Sequence, residues 1–364
     1  MATLTGNTIA STYALLLKID STGIAGDGTL RKVEDGDATD SALSLSDVSI
    51  AVDATDKIFL DGGTHSYIHE SASDVVQIVA GGTVVFEGDT NSRISLSNND
   101  SGTSNTIFGK DAGASLDAGS NYNVFIGEAV SDAAMDDATN NVGVGYNALS
   151  ALTTGDKNIA IGKDALLSCD AGSENTVIGN IAGDALVGGA GNVIVGNSAF
   201  GNSTSGISNV CIGTDAGGGA GDVDNTVIIG KSAAAGALTD AADGTVAIGK
   251  SALNDLTSGI GNVAVGYQSM DANQTSDYNT SVGYLSLTSL NANGTQACTG
   301  IGYGAGHDLT SGGSNTYLGY QSGYFNSTGV SNTYIGRDAG KGASGQSNSN
   351  NTGVGKNALF SITT

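Results

Sequence analysis

One short unit recurs from Ser104 to the C-terminal region, and this periodicity constrains the fold more than any other feature of the chain. The unit reads Asn, a β-branched residue, any residue, an aliphatic residue, Gly, two further residues and a small one. Asn141-Val142-Gly143-Val144-Gly145, Asn158-Ile159-Ala160-Ile161-Gly162 and Asn192-Val193-Ile194-Val195-Gly196 show it. Fifteen anchor glycines follow, among them Gly145, Gly162, Gly196, Gly266 (after Asn262) and Gly319 (after Asn315), mostly 17 residues apart with a few steps of 18 or 19. A unit this short cannot bury an apolar face alone, whereas a stack of units can.

Each slot has a physical reason. The residues three and one before the Gly lie two apart, so a strand points both to one face. They are Val, Ile or Thr in the first slot and, after Phe108, Val, Ile or Leu in the second. The anchor Gly allows a sharp turn or a positive φ. A small residue three places later predicts close approach of another backbone. The leading Asn, replaced only by Thr226, Thr245 and Cys298, predicts a ladder of amides that satisfies turn backbone. Steps of 18 or 19 place their extra residues in turns, which preserves strand register. At ~4.8 Å per stacked strand the coils form a rod of roughly 70 Å. So thin a stack leaves an apolar face wet, and three chains around one axis are expected.

Composition agrees. The 364 residues include 57 Gly, no Pro and no Trp, and only 13% are charged, poor material for one thick core. A net charge of -23 argues against a nucleic-acid partner, which needs clustered Lys and Arg, and suits a long soluble particle. Cys169, Cys211 and Cys298 have no metal or redox spacing; Cys211 fills a slot held elsewhere by Ala160, Val177 and Ile194, as a small hydrophobe would. The first residues lack a basic stretch followed by an apolar one, and no run approaches the ~20 apolar residues of a membrane span. Neither a standard secretion route nor membrane insertion is expected.

The unit Asn262-Val263-Ala264-Val265-Gly266-Tyr267-Gln268-Ser269 resembles the head repeats of trimeric autotransporter adhesins, and similar repeats occur in bacteriophage tail fibres. The likeness covers residues 104–360. It implies an all-β fold, a left-handed parallel β-roll or solenoid of about 15 repeats assembled as a homotrimer. Segments near the start (Leu4-Thr5-Gly6, Leu30 to Gly36, Leu60 to Glu70) resemble the beginnings of tail-fibre proteins of marine phages. The resemblance favours a virion fibre over a secreted adhesin, since neither a signal peptide nor an anchor barrel is read in the sequence. A cell-surface trimeric adhesin and a capsid-decorating fibre remain the alternatives.

Three segments are expected: 1–45 for virion attachment, 46–103 as a small β-rich collar, and 104–364 as the repeat domain. The apolar patch Tyr13, Leu15, Leu16, Leu17 and Ile19 is the candidate contact with other virion proteins, or else a trimer end. Val48 to Val52, Lys57 to Leu60, Tyr67 to His69, Val75 to Ala80 and Val84 to Glu87 read as strands, with Gly-Gly turns at Gly62-Gly63 and Gly81-Gly82. His65 and His69 could ring a metal on a threefold axis, but packing is the simpler role, and no metal or cofactor is expected. No nucleophile, base or carboxylate pair stands out, so catalysis is not expected.

A gradient marks the candidate contact surface. Only Asp271, Asp277, Asp308 and Asp338 of the 36 acidic residues follow residue 260, whereas eight of twelve tyrosines do. Tyr267, Tyr284, Tyr303 and Tyr320 each follow an anchor Gly and are expected to stack in a column; Tyr317, Tyr324 and Tyr334 join them as candidate receptor contacts. Such residues suit a host-surface glycan or protein, or a separate tip protein. A column buried between chains is the competing expectation.

Overall fold

A computed structural model describes residues 104–363 continuously and, within 1–103, a set of strands together with Ser66, Gly81 and Gly82. Tyr13, Leu15, Leu16, Leu17, His65 and the Gly62-Gly63 turn lie outside the described residues. The chain divides into two compact units, Met1–Asn98 and Asn99–Thr364.

The first unit holds two antiparallel sheets whose strands neighbour one another in chain order. Lys18–Ile19, Arg31–Glu34, Asp40–Leu45 and Ile50–Val52 form one. Ile19 pairs with Val33 in it. Lys57–Phe59, Tyr67–Ala72, Val75–Ala80, Thr83–Gly88 and Ile94–Ser95 form the other. Gly81 and Gly82 close a hairpin with φ of 58° and 84°, the positive pair that a tight two-residue turn requires. His69 pairs in register with Lys57 and with Gln77.

The second unit is a parallel β-solenoid. Fifteen three-residue strands, from Thr106–Phe108 to Thr352–Val354, stack into one sheet in chain order. Register holds across the longer steps: Val227 pairs with Val246 and Ile229 with Ile248, while the extra residues form a short 3-10 turn at Asp240–Ala242. The turns are also joined coil to coil. The Asn147 N–H donates to the Glu128 carbonyl at 3.1 Å, and the Leu149 N–H to the Ala165 carbonyl at 3.1 Å.

The central strand residue turns inward and its two neighbours turn outward. Ala160, Val177, Ile194 and Cys211 are fully buried, and Cys211 is the core hydrophobe its slot predicts. With them lie the residues three and four places after the Gly, such as Ala165 and Leu166, and a residue farther round the turn, such as Leu152 or Leu186. Burying one such Leu is worth ~1.5–3 kcal/mol. The small slot behaves as expected. Where it holds Ser, the hydroxyl bonds internally: Ser322 Oγ donates to the Tyr334 carbonyl at 2.7 Å.

The anchor glycines carry φ between 118° and 150°. A Cβ on Gly162 would stand 2.3 Å from the Gly179 carbonyl oxygen of the next coil, so both dihedral and space demand glycine. The Asn ladder is present and buried. Asn158 Oδ1 accepts the Asn175 N–H and side-chain amide at 3.1 Å each, and Asn175 Nδ2 donates to the Gly189 carbonyl at 2.8 Å. The same bonds recur through Asn141, Asn192, Asn262 and Asn315.

Candidate contact surface

Two kinds of surface column run along the solenoid. The first belongs to the sheet. The residues flanking each central position point away from the core, and none is fully buried from Val142 to Ile335. Ile161, Ile178 and Leu318 are 38%, 39% and 42% exposed. Together they make a continuous aliphatic and Thr face along fifteen strands, longer than the isolated apolar spots of a typical monomer surface. No helix among the described residues is long and apolar enough to cross a membrane.

The second column is built by the position after the anchor Gly. The glycine turns the backbone out of the strand, and the next residue projects from the corner. Tyr267, Tyr284, Tyr303 and Tyr320 stack there with centroid separations of 4.9, 5.6 and 5.1 Å and interplanar angles of 13°, 4° and 11°. The expected column therefore exists in this chain, and Tyr284, Tyr303 and Tyr320 are 48%, 44% and 45% exposed. Because each ring covers the next, the column offers ring edges and phenol hydroxyls to solvent.

Tyr317 and Tyr334 do not belong to it. Both occupy the central strand slot and are fully buried, stacked on each other at 5.7 Å. Asn326 Nδ2 donates to the Tyr317 hydroxyl at 3.0 Å, and the Tyr334 hydroxyl donates to the Asn332 Oδ1 at 3.1 Å. Burial pushes the Tyr334 phenol up to about 12 and raises Tyr317 further. Their parity in the strand, shared with Ala160, carried this signal in the sequence.

Tyr324 stands beside the column. It stacks on His307 at 4.6 Å and meets Phe325 edge-on at 4.8 Å. Its phenol is raised by burial first, then by Asp308 and by the nearby Tyr303 and Tyr320. His307 itself bonds Asp308 through Nδ1 at 2.6 Å. This pairing was not foreseen from the sequence, although residues 17 apart at a fixed offset from the Gly identify it.

Many carboxylates missed as structural groups are turn acceptors between coils. Asp156 accepts the Thr139 N–H at 2.6 Å, Asp224 the Ile207 N–H at 2.7 Å and Asp277 the Ile260 N–H at 2.9 Å. Asp117, Asp136 and Asp137 bring three carboxylates within 4.8 Å. Asp117 is occupied there by turn bonds from the Ser120 and Asp137 N–H groups at 2.9 and 3.2 Å, and Ser120 holds its carboxyl below the usual range. A recess of about 380 Å³ lies among Ile181, Asp184, Ser198 and Asp215, where Gly201, Gly218 and Gly219 leave the surface low. Comparison of the chain with protein families, curated proteins and solved structures gives no match.

Proposed function

We propose that this chain is a structural fibre or spike protein of a bacteriophage virion, assembled as a homotrimer, and that it meets the host surface along its solenoid. The observation that carries the reading is the outward strand face of a fifteen-strand ladder, which presents an apolar residue before the anchor Gly in every coil. Such a face is costly in water and is covered when copies pack around a common axis. A solenoid whose every turn is bonded to the next suits a load-bearing rod. The exposed Tyr column supports contact with a surface, and three copies give multivalent attachment in which weak contacts combine. Virion proteins are the partners assigned to the N-terminal unit.

Immunogold electron microscopy with antibodies to residues 1–40 and 340–364 tests the assignment. Label on virions is expected, with the first antibody near the particle and the second toward fibre tips. Label on bacterial envelopes with none on virions would overturn it in favour of a cell-surface adhesin.

A further inference from the structure

Of the eight Lys and Arg residues between 104 and 363, six occupy a single position, the one directly after an anchor glycine. Lys110, Lys163, Lys231, Lys250, Arg337 and Lys356 are these six. Glu128 is the one acidic residue in that position across the fifteen coils. In a chain where acidic residues outnumber basic ones 36 to 13, this corner is a basic stripe on an acidic rod.

The Tyr stack sits inside that stripe and is closed by cations at both ends. Lys250 Nζ lies 5.6 Å from the Tyr267 ring centroid, and the Arg337 guanidinium 5.3 Å from that of Tyr320. One coil farther out in each direction stand Lys231 and Lys356. Among the described residues, Lys231, Lys250 and Lys356 have no carboxylate within salt-bridge distance, whereas Arg337 is held by Asp338 at 3.1 Å. The inner ring faces are taken by neighbouring rings and the outer ones by cations. What remains is one phenol hydroxyl per coil, on rings spaced 4.9, 5.6 and 5.1 Å apart, with free positive charge at each end.

We propose that this stripe is a linear binding track for an acidic polysaccharide. A phenol hydroxyl donates to a carboxylate oxygen, and an unpaired ammonium provides a charge-assisted bond to the same kind of group. A polymer with an acceptor on each sugar ring can meet successive coils in register. Neutral sugars and nucleobases bind aromatic residues through open ring faces, and this column has none to offer. The inference rests on the surface-contact reading of the Tyr column and names the class of ligand for it.

The test uses the full-length chain and immobilised polygalacturonate, hyaluronate, dextran and a single-stranded oligonucleotide. Binding to at least one of the two acidic glycans is expected, weakening with salt, with none to dextran. Two variants keep the fold: Lys231→Gln/Lys250→Gln/Lys356→Gln, and Tyr284→Phe/Tyr303→Phe, which preserves the stack and removes hydroxyls. The first is expected to weaken glycan binding roughly tenfold and the second several-fold, with unchanged circular dichroism and melting. No binding to either acidic glycan, equal binding to dextran, or full binding by both variants overturns the track. Stronger, variant-sensitive binding to the oligonucleotide overturns it in favour of a nucleic acid. Failure of the track leaves the immunogold result untouched, so the fibre assignment and its ligand class fall separately.

Discussion

The central strand residue and the residue four places after the Gly share one volume inside each coil. Gly143 is matched by Leu149 and Ala160 by Leu166, whereas Tyr317 and Tyr334 are matched by Gly323 and Gly340. A Cβ on Gly323 would stand 2.5 Å from Tyr317 ring carbons, and its φ is +62°. Gly323→Ala is therefore expected to cost about 2–4 kcal/mol, from overpacking and left-handed strain together. Denaturant unfolding measures it, and a loss below about 0.5 kcal/mol, the level of an ordinary surface change, would contradict this packing. The same burial sets a pH response. Cys169 is raised to about 11 and Tyr334 to about 12, both by desolvation, with Cys211 and Tyr317 shifted the same way. The folded state therefore holds these protons more tightly than the unfolded chain does. Their contribution is complete below the ordinary thiol and phenol values, about 8.5 and 10, and is lost as pH rises through the folded values. Melting temperatures measured at about pH 8, 10 and 12 are expected to fall steeply over the last interval; a flat profile would mean that these groups are solvated.

The strand ladder and the Asn ladder are the elements that hold coil to coil, and they differ in continuity. The strands pair without a break, but the side-chain ladder is interrupted after Thr226 and weakens at Cys298, whose sulfur accepts only a long bond from Asn315 Nδ2 at 3.9 Å. It runs from Asn105 to Thr226 and again from Asn262 to Asn351, passing through Cys298 by that one long bond. Cys298 Sγ already reaches the Gly312 carbonyl at 3.1 Å, the same fourteen-residue span that Asn158 Nδ2 makes to Gly172 at 2.7 Å. Cys298→Asn is therefore expected to replace the long sulfur contact with an amide acceptor for Asn315 and add about 1 kcal/mol, read as a raised midpoint in denaturant. A lowered midpoint would show that the sulfur fills space an amide cannot. Strand, ladder and anchor-glycine positions were all legible in the sequence because each slot repeats one chemistry, as Asn141, Asn158 and Asn192 do. Three further positions per coil adopt left-handed backbone, and these were not legible. Leu149, Leu166, Phe200 and Ile181 hold φ of 57°, 50°, 52° and 48°, a conformation their side chains resist. Bonds between coils hold them there, so these slots mix such side chains with the Asn, Asp and Gly that favour this backbone, as at Asn147, Asp164 and Gly183, and the mixture hides the pattern. The inward turn of Tyr317 was legible in principle, since strand parity alone places it in the core.

On the scale of the whole molecule, the decisive feature is what the solenoid leaves uncovered. Its interior closes on Ala, Leu and Val without help from another chain, and its outer sheet face presents aliphatic side chains along the full ladder. Negative charge keeps such rods apart in general, yet the carboxylates lie mainly outside the ladder strands, as at Asp156 and Asp224. The fifteen ladder strands carry none, so the apolar face can meet copies of itself without burying charge. The proposed trimer would cover this face around a common axis, and the corner that carries Tyr284, Tyr303 and Tyr320 is exposed in the single chain. The molar mass of the purified chain in solution, by light scattering after size exclusion, tests this most directly. The account predicts three times the 35.8 kDa of one chain, reduced to a single chain when Ile161, Ile178 and Ile212 are all replaced by Glu. A monomer for the unaltered chain, with its apolar face stable in water, would contradict it.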